Sequence, residues 1–160
     1  TGRKSKKYFD GTLIMGNINW KAYGHRLQPF DGHLIPVFEN GKRIFGAVKD
    51  HNFTVKDILA FNNVRAIELR TSKELMCIDF DSLEAIRFAE TEGEFILEDL
   101  QTWLVQRDNQ HFRCKFFLYR TKPQQEELGE FSLDLEDHDL EVFSKSTKPV
   151  TVLGLSLIHI

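Results

Sequence analysis

The chain's 160 residues are enough for one domain with a real core, and 41% hydrophobic with 28% charged residues is ordinary for a soluble globular protein. A formal net charge of -3 gives no global attraction to nucleic acid, which leaves room only for a local basic patch. No apolar run reaches the length of a membrane span and no signal-peptide pattern is present, so a cytoplasmic chain without a membrane partner is expected.

Residues 1–8 carry Arg3, Lys4, Lys6 and Lys7 and read as a frayed basic end. Asn19 to Leu27 reads as a short helix capped by Asn17 or Asn19, with Gly24 weakening it. Asp31-Gly32 turns the chain into HLIPVFENGKRIFGAV, where Asn40-Gly41 between apolar runs is a hairpin signal. Thr54 can cap VKDILAFN. RAIELR and LMCIDF are strand-like runs joined by Thr71, Ser72, Lys73 and Glu74. Ser82 or Asp81 can cap LEAIRFAETEG, whose Leu83, Ile86 and Phe88 or Ala89 share a face and whose Gly93 ends it. EFILEDL is too short for its period to decide between helix and strand. TWLVQRDNQHFRCKFFLYR reads as a hairpin turning at Asp108-Asn109, and KPQQEELGE as a polar loop. FSLDLED and LEVFSKSTKPVTVLG supply the last strands. Helices and strands are interleaved, which predicts an α+β or mixed α/β fold in a single domain over residues 1–154. Leu155 to Ile160 resemble the in-frame translation of a transposon-end sequencing adaptor. They are set aside, His159 with them. The expectation is a fragment of an open reading frame from an assembled contig, with native sequence stopping near Gly154.

Cys77 and Cys114, the only cysteines, lie in apolar strand runs and are expected to be buried thiols of a reducing compartment. Neither forms a metal-ligand spacing with the scattered histidines His25, His33, His51, His111 and His138. LEDHDLE, with Glu136, Asp137, His138 and Asp139 and with Asp134 just before it, reads first as a charged turn between strands. No Walker-type glycine loop or nucleophile elbow is present.

The chemistry-bearing stretch is LMCIDFDS. Side chains at i and i+2 of a strand project to one face, so Asp79 and Asp81 stand together with Phe80 turned away. Two adjacent carboxylates repel, and one retains its proton unless a cation intervenes. Oxygen-only ligands suit magnesium or manganese, and two such ions can align an attacking hydroxyl and a leaving pyrophosphate. The plainer reading is a solvated strand end with Asp81 as the helix cap. Arg107, Arg113 and Lys115 form a basic set interleaved with Phe112, Phe116 and Tyr119. Alternation puts Arg113 and Lys115 on one face, which could meet triphosphate or template backbone.

These elements, in order over roughly residues 30 to 154, resemble the amino-terminal domain of bifunctional DNA primase/polymerases, of the archaeo-eukaryotic primase superfamily. HLIPVFENGKRIFGAV is similar to the family's opening strand and its following Gly-Lys element, near which Lys42 and Arg43 would meet the nucleotide. Ile78-Asp79-Phe80-Asp81 matches the first catalytic motif, hydrophobic-Asp-hydrophobic-Asp. Leu140-Glu141 resembles the hydrophobic-acid pair that supplies the third metal-binding carboxylate. The chain departs from the pattern at the second motif. Its histidine would fall near Lys115, leaving Lys115, or His111 in the preceding turn, to contact phosphate. The resemblance implies a mixed sheet with short packing helices, an RRM-like primase/polymerase core. It implies metal-dependent, template-directed nucleotidyl transfer in DNA replication, with two magnesium or manganese ions on Asp79, Asp81 and Glu141. The implied partners are a single-stranded DNA template, nucleoside triphosphates and a helicase domain further along the chain, in a phage or plasmid setting. The alternative is a non-catalytic relative, or an unrelated α/β nucleic-acid-binding or interaction module of a phage or replication protein. The two readings part at the acids: catalysis needs all three converging within metal reach, whereas a binding module can leave Glu141 far from Asp79.

Overall fold

The computed structural model describes residues 24, 26–38, 52–62, 64–94, 103–107, 110–152 and 155–159. They form a mixed α/β architecture with two antiparallel sheets and a few short helices. The chain divides into two compact units. One is Thr1–Arg70 with Pro149–Leu155, the other Thr71–Lys148 with Ser156–Ile160.

The first unit holds a three-stranded sheet in the order β1 (Leu34–Phe38), β2 (Val64–Arg70), β8 (Pro149–Thr151). Leu34, Ile67 and Leu69 are fully buried on it, with Phe30 and Ile58. Ile58 comes from α1 (Val55–Ala60), where Thr54 and Asp57 form a reciprocal capping box. Asp31 Oδ1 accepts from the Val55 N–H at 2.7 Å and ties the turn before β1 to that helix. The expected helix before it is seen at Gly24, Arg26 and Leu27. The Asn40-Gly41 hairpin lies outside the described residues.

The second unit carries the aspartates. Its six-stranded sheet runs β6 (Phe131–Leu135), β7 (Leu140–Ser144), β3 (Leu75–Phe80), β5 (Gln110–Tyr119), β4 (Trp103–Arg107), β9 (Leu155–His159). The run set aside by the sequence reading is therefore an edge strand. RAIELR and LMCIDF, though consecutive, enter different sheets.

One face of the larger sheet is covered by α2 (Leu83–Gly93). Phe80, Cys114, Phe116 and Leu140 are buried there with Ala85, and Phe80 meets Phe116 edge-to-face at 5.7 Å. Ser82, not Asp81, caps this helix: its Oγ accepts from the Ala85 N–H at 3.1 Å. Leu83, expected inside, is 43% exposed, because Ala85, two residues on and about 200° around the helix, faces the sheet. Glu94, not Gly93, takes the left-handed cap conformation, at φ 55°. The expected polar loop KPQQEELGE contains α3 (Lys122–Glu127). Thr121 and Gln124 cap each other and Pro123 starts the first turn, which suffices for a short helix with no buried residue.

Arg120 holds the far end of this unit. Its guanidinium donates to the carbonyls of Lys73, Gly129, Gln124 and Leu128 and to Ser144 Oγ. It also lies over the Phe131 ring at 5.2 Å.

Candidate functional site

β3 has neighbours on both sides, and the register decides what its acids meet. Asp79 is paired with Lys115 on β5 and with Glu141 on β7. Directly opposed residues of antiparallel strands share a face, with Cβ atoms about 5 Å apart. Glu141, Asp79 and Lys115 therefore make a row across three strands, on the face turned away from α2. Asp134, opposite Glu141, extends the row onto β6. One step along, the Asp81 N–H donates to the Asp139 carbonyl at 3.0 Å, which continues the β3–β7 pairing past Phe80.

Each candidate metal ligand has a cation. Lys115 Nζ reaches Asp79 Oδ1 at 2.9 Å, and Arg113 Nη2 reaches Asp81 Oδ1 at 3.3 Å. Lys148 Nζ pairs with Glu141 Oε2. Asp79 is the most sheltered of the three acids, with 17% of its side chain exposed against 26% for Glu141 and 52% for Asp81. Like charges facing one another across strands are unfavourable, and the three cations offset that repulsion. Partly exposed pairs of this kind contribute about 1 kcal/mol or less each, so a stronger ligand can open them at little cost.

Of the other sequence candidates, His111 lies inside β5, not in the turn before it, because β5 begins at Gln110. Four strand steps separate it from Lys115, about 13 Å of backbone. Arg107 ends β4 opposite Gln110, next to a register shift. Lys42 and Arg43 lie outside the described residues. Lys148 was missed by sequence reasoning. It follows a turn, where alternation carries no information about facing.

Beneath Asp79 on the same face, Cys77 is fully buried between Phe117 and Phe143, its partners in the ladder. Burial, then the nearby Asp79 charge, pushes the Cys77 thiol well above its ordinary value and Cys114 up to about 11. Both are free thiols, as expected, and inert as nucleophiles. His138, in the charged turn, stacks on Phe88 with ring centroids 3.7 Å apart.

The donors suit a hard divalent ion by chemistry, being carboxylate oxygens alone on one face. Their side chains are turned to their own cations, and among the described residues no three His, Cys, Asp or Glu groups converge as a metal site. Ligation therefore requires Lys115 and Lys148 to leave Asp79 and Glu141.

Compared with models of known families, with curated proteins and with solved structures, the chain matches none. No helix among the described residues is long and apolar enough to cross a membrane.

Proposed function

We propose that the chain is the catalytic domain of a DNA primase/polymerase, joining nucleotides on a single-stranded template in the cytoplasm. The observation that carries this reading is the pairing of Glu141 with Asp79 across β3 and β7, with Asp81 continuing the same face. Strand order supports the finer assignment to an RRM-like core: the acidic strand is central, flanked by antiparallel strands, with a helix on the reverse face.

Asp79, Asp81 and Glu141 would hold two magnesium or manganese ions. When bound, such ions polarise phosphoryl oxygens and orient the attacking hydroxyl. The chain's own residues do the rest. Phe80, locked between Phe116 and α2, holds the backbone of β3 so that the acids are preorganised. Lys115, opposite Asp79, takes the place of the family's histidine and donates to a phosphate oxygen as a point charge. Arg113, one step nearer the strand end, offers a second donor toward phosphate or template backbone.

A second reading is favoured by one observation, the ion pair on every acid. A binding module that never takes up metal would be balanced in this way. A magnesium- or manganese-dependent primer-extension assay on single-stranded DNA separates the two. Catalysis predicts incorporation that stops on chelation and in Asp79→Asn. Incorporation by Asp79→Asn at the wild-type rate would falsify the assignment.

A further inference from the structure

We propose that β6 is a dimerisation edge. It pairs antiparallel with β6 of a second copy of this chain, with Leu133 on the twofold axis, and joins the two larger sheets into one. The inference is independent of the nucleotidyl-transfer reading.

β6 is the outermost strand of its sheet, with β7 on one side only. Among the described residues, no backbone bond outside that ladder reaches Phe131 to Leu135. The outer row of N–H and C=O groups is therefore open, a template for another strand. The edge is also held in strand form. All five of its residues pair with β7. At its start, Arg120 donates to the Gly129 carbonyl at 2.6 Å, and Glu130 Oε1 accepts from the Ser146 N–H at 3.1 Å. Past its end, the Asp139 N–H donates to the Glu136 carbonyl at 3.2 Å and closes the turn into β7. A preordered edge loses little entropy on pairing. Ser132, Leu133 and Asp134 are exposed along it, Leu133 by 49% although it is apolar.

The strand's own sequence selects a second copy as the occupant. In an antiparallel pair centred on Leu133, that residue meets its counterpart, Phe131 meets the partner's Leu135, and Ser132 meets the partner's Asp134. Every apolar residue then faces an apolar one, and the strand's single charge faces a hydroxyl. Centring one residue later sets Asp134 against itself, and one residue earlier sets it against Glu130. Like charges directly opposed are unfavourable, so one register is singled out. An antiparallel twofold runs perpendicular to the sheet and keeps its faces. Phe131, Leu133 and Leu135, on the side of α2, therefore join into one apolar strip across both copies. On the other face, Asp134 is the outer acid of the row and, unlike Asp79, Asp81 and Glu141, has no paired cation among the described residues. The partner's Ser132 gives it a donor.

The test is sedimentation equilibrium of the full chain over about 10 µM to 1 mM, the range of small, reversible interfaces. The wild type is expected to pass from one chain toward two as concentration rises. Leu133→Lys sets two ammoniums face to face on the axis and should raise the midpoint at least about tenfold. Leu133→Cys tests the register itself. Opposed Cα atoms of an antiparallel pair lie about 4.5–5.5 Å apart, within reach of a disulfide. Mild oxidation should link Leu133→Cys into a covalent dimer and leave Ser132→Cys, which faces Asp134, unlinked. The native Cys77 and Cys114 are buried and do not compete. This arm decides alone if Leu133→Lys fails to fold. A wild type that stays monomeric throughout overturns the proposal and leaves the edge to an extended segment of a different protein. Association of folded Leu133→Lys at wild-type strength overturns it in favour of another face. Equal linking of Ser132→Cys and Leu133→Cys overturns it as well, since the pairing would then have no fixed register.

Discussion

Asp79 stands between an acid and a base, so changing it has two opposed effects on stability. Asp79→Asn relieves its repulsion with Glu141 and forfeits its attraction to Lys115. Both terms are small for partly exposed groups, so the unfolding free energy from a urea melt should move by no more than about 1 kcal/mol. Loss of a group that stabilises developing charge costs far more, roughly a hundredfold in rate or greater. On the proposed reading, nucleotide incorporation should therefore fall to background in a variant that melts almost normally. A merely structural aspartate would show the reverse. The thiols make a second residue-scale prediction. Both have folded-state values raised by burial, Cys114 to about 11. The native state then keeps protons that the unfolded chain gives up. Their contribution is complete below the ordinary thiol value and is lost as pH rises toward the folded one. Stability should fall from about pH 9 upward, and Cys114→Ala should flatten that fall. Equal slopes in the two proteins would count against it.

At the scale of elements, two neighbouring residues divide the work at the end of β3. Ser82 caps α2, whereas Asp81 faces Arg113. Ser82→Ala should cost about 1 kcal/mol in a denaturant melt, and Asp81→Ala only a few tenths. If Asp81→Ala proved the more costly, the strand-end acid would be structural after all. Arg120 joins the end of β5 to α3 and β7 through four carbonyls and the Ser144 hydroxyl. Arg120→Met keeps its packing on Phe131 but removes the guanidinium's bonds to those acceptors, at about 3 kcal/mol or more. A melt within 1 kcal/mol of the wild type would show that water replaces the guanidinium there.

For the whole molecule, linkage turns the site into a stability measurement. A ligand that binds only the folded chain raises its unfolding free energy, by about 2.7 kcal/mol at a concentration a hundred times its dissociation constant. Manganese should therefore raise the melting temperature of the wild type and leave Asp79→Asn nearly unmoved. Equal shifts in the two proteins would locate the metal elsewhere. This readout needs no template, primer or nucleotide, so it stays informative if catalysis needs a longer chain.

Much of the architecture was legible because it is local. Strand alternation alone places Asp79 and Asp81 on one face and Phe80 on the other. Side-chain capping chemistry places the starts of α1 and α2, and the apolar runs at Cys77 and Cys114 foretell buried thiols. The local signals also erred locally: a polar composition hid α3, whose only support is its cap and its proline. What the sequence by itself could not supply is register between distant strands. Nothing near Glu141 says that it will stand opposite Asp79, or that Lys115 will stand on the other side. That pairing depends on β7 and β5 both docking on β3 at one particular offset, and a slip of one residue would turn Glu141 to the opposite face. Lys148 lies further still from sequence logic, since a turn clamped by Thr71 positions it and no periodicity survives a turn. The separation of RAIELR from LMCIDF into two sheets has the same origin. Both runs favour strand, but the choice of neighbour belongs to long-range packing, which no short window of residues contains.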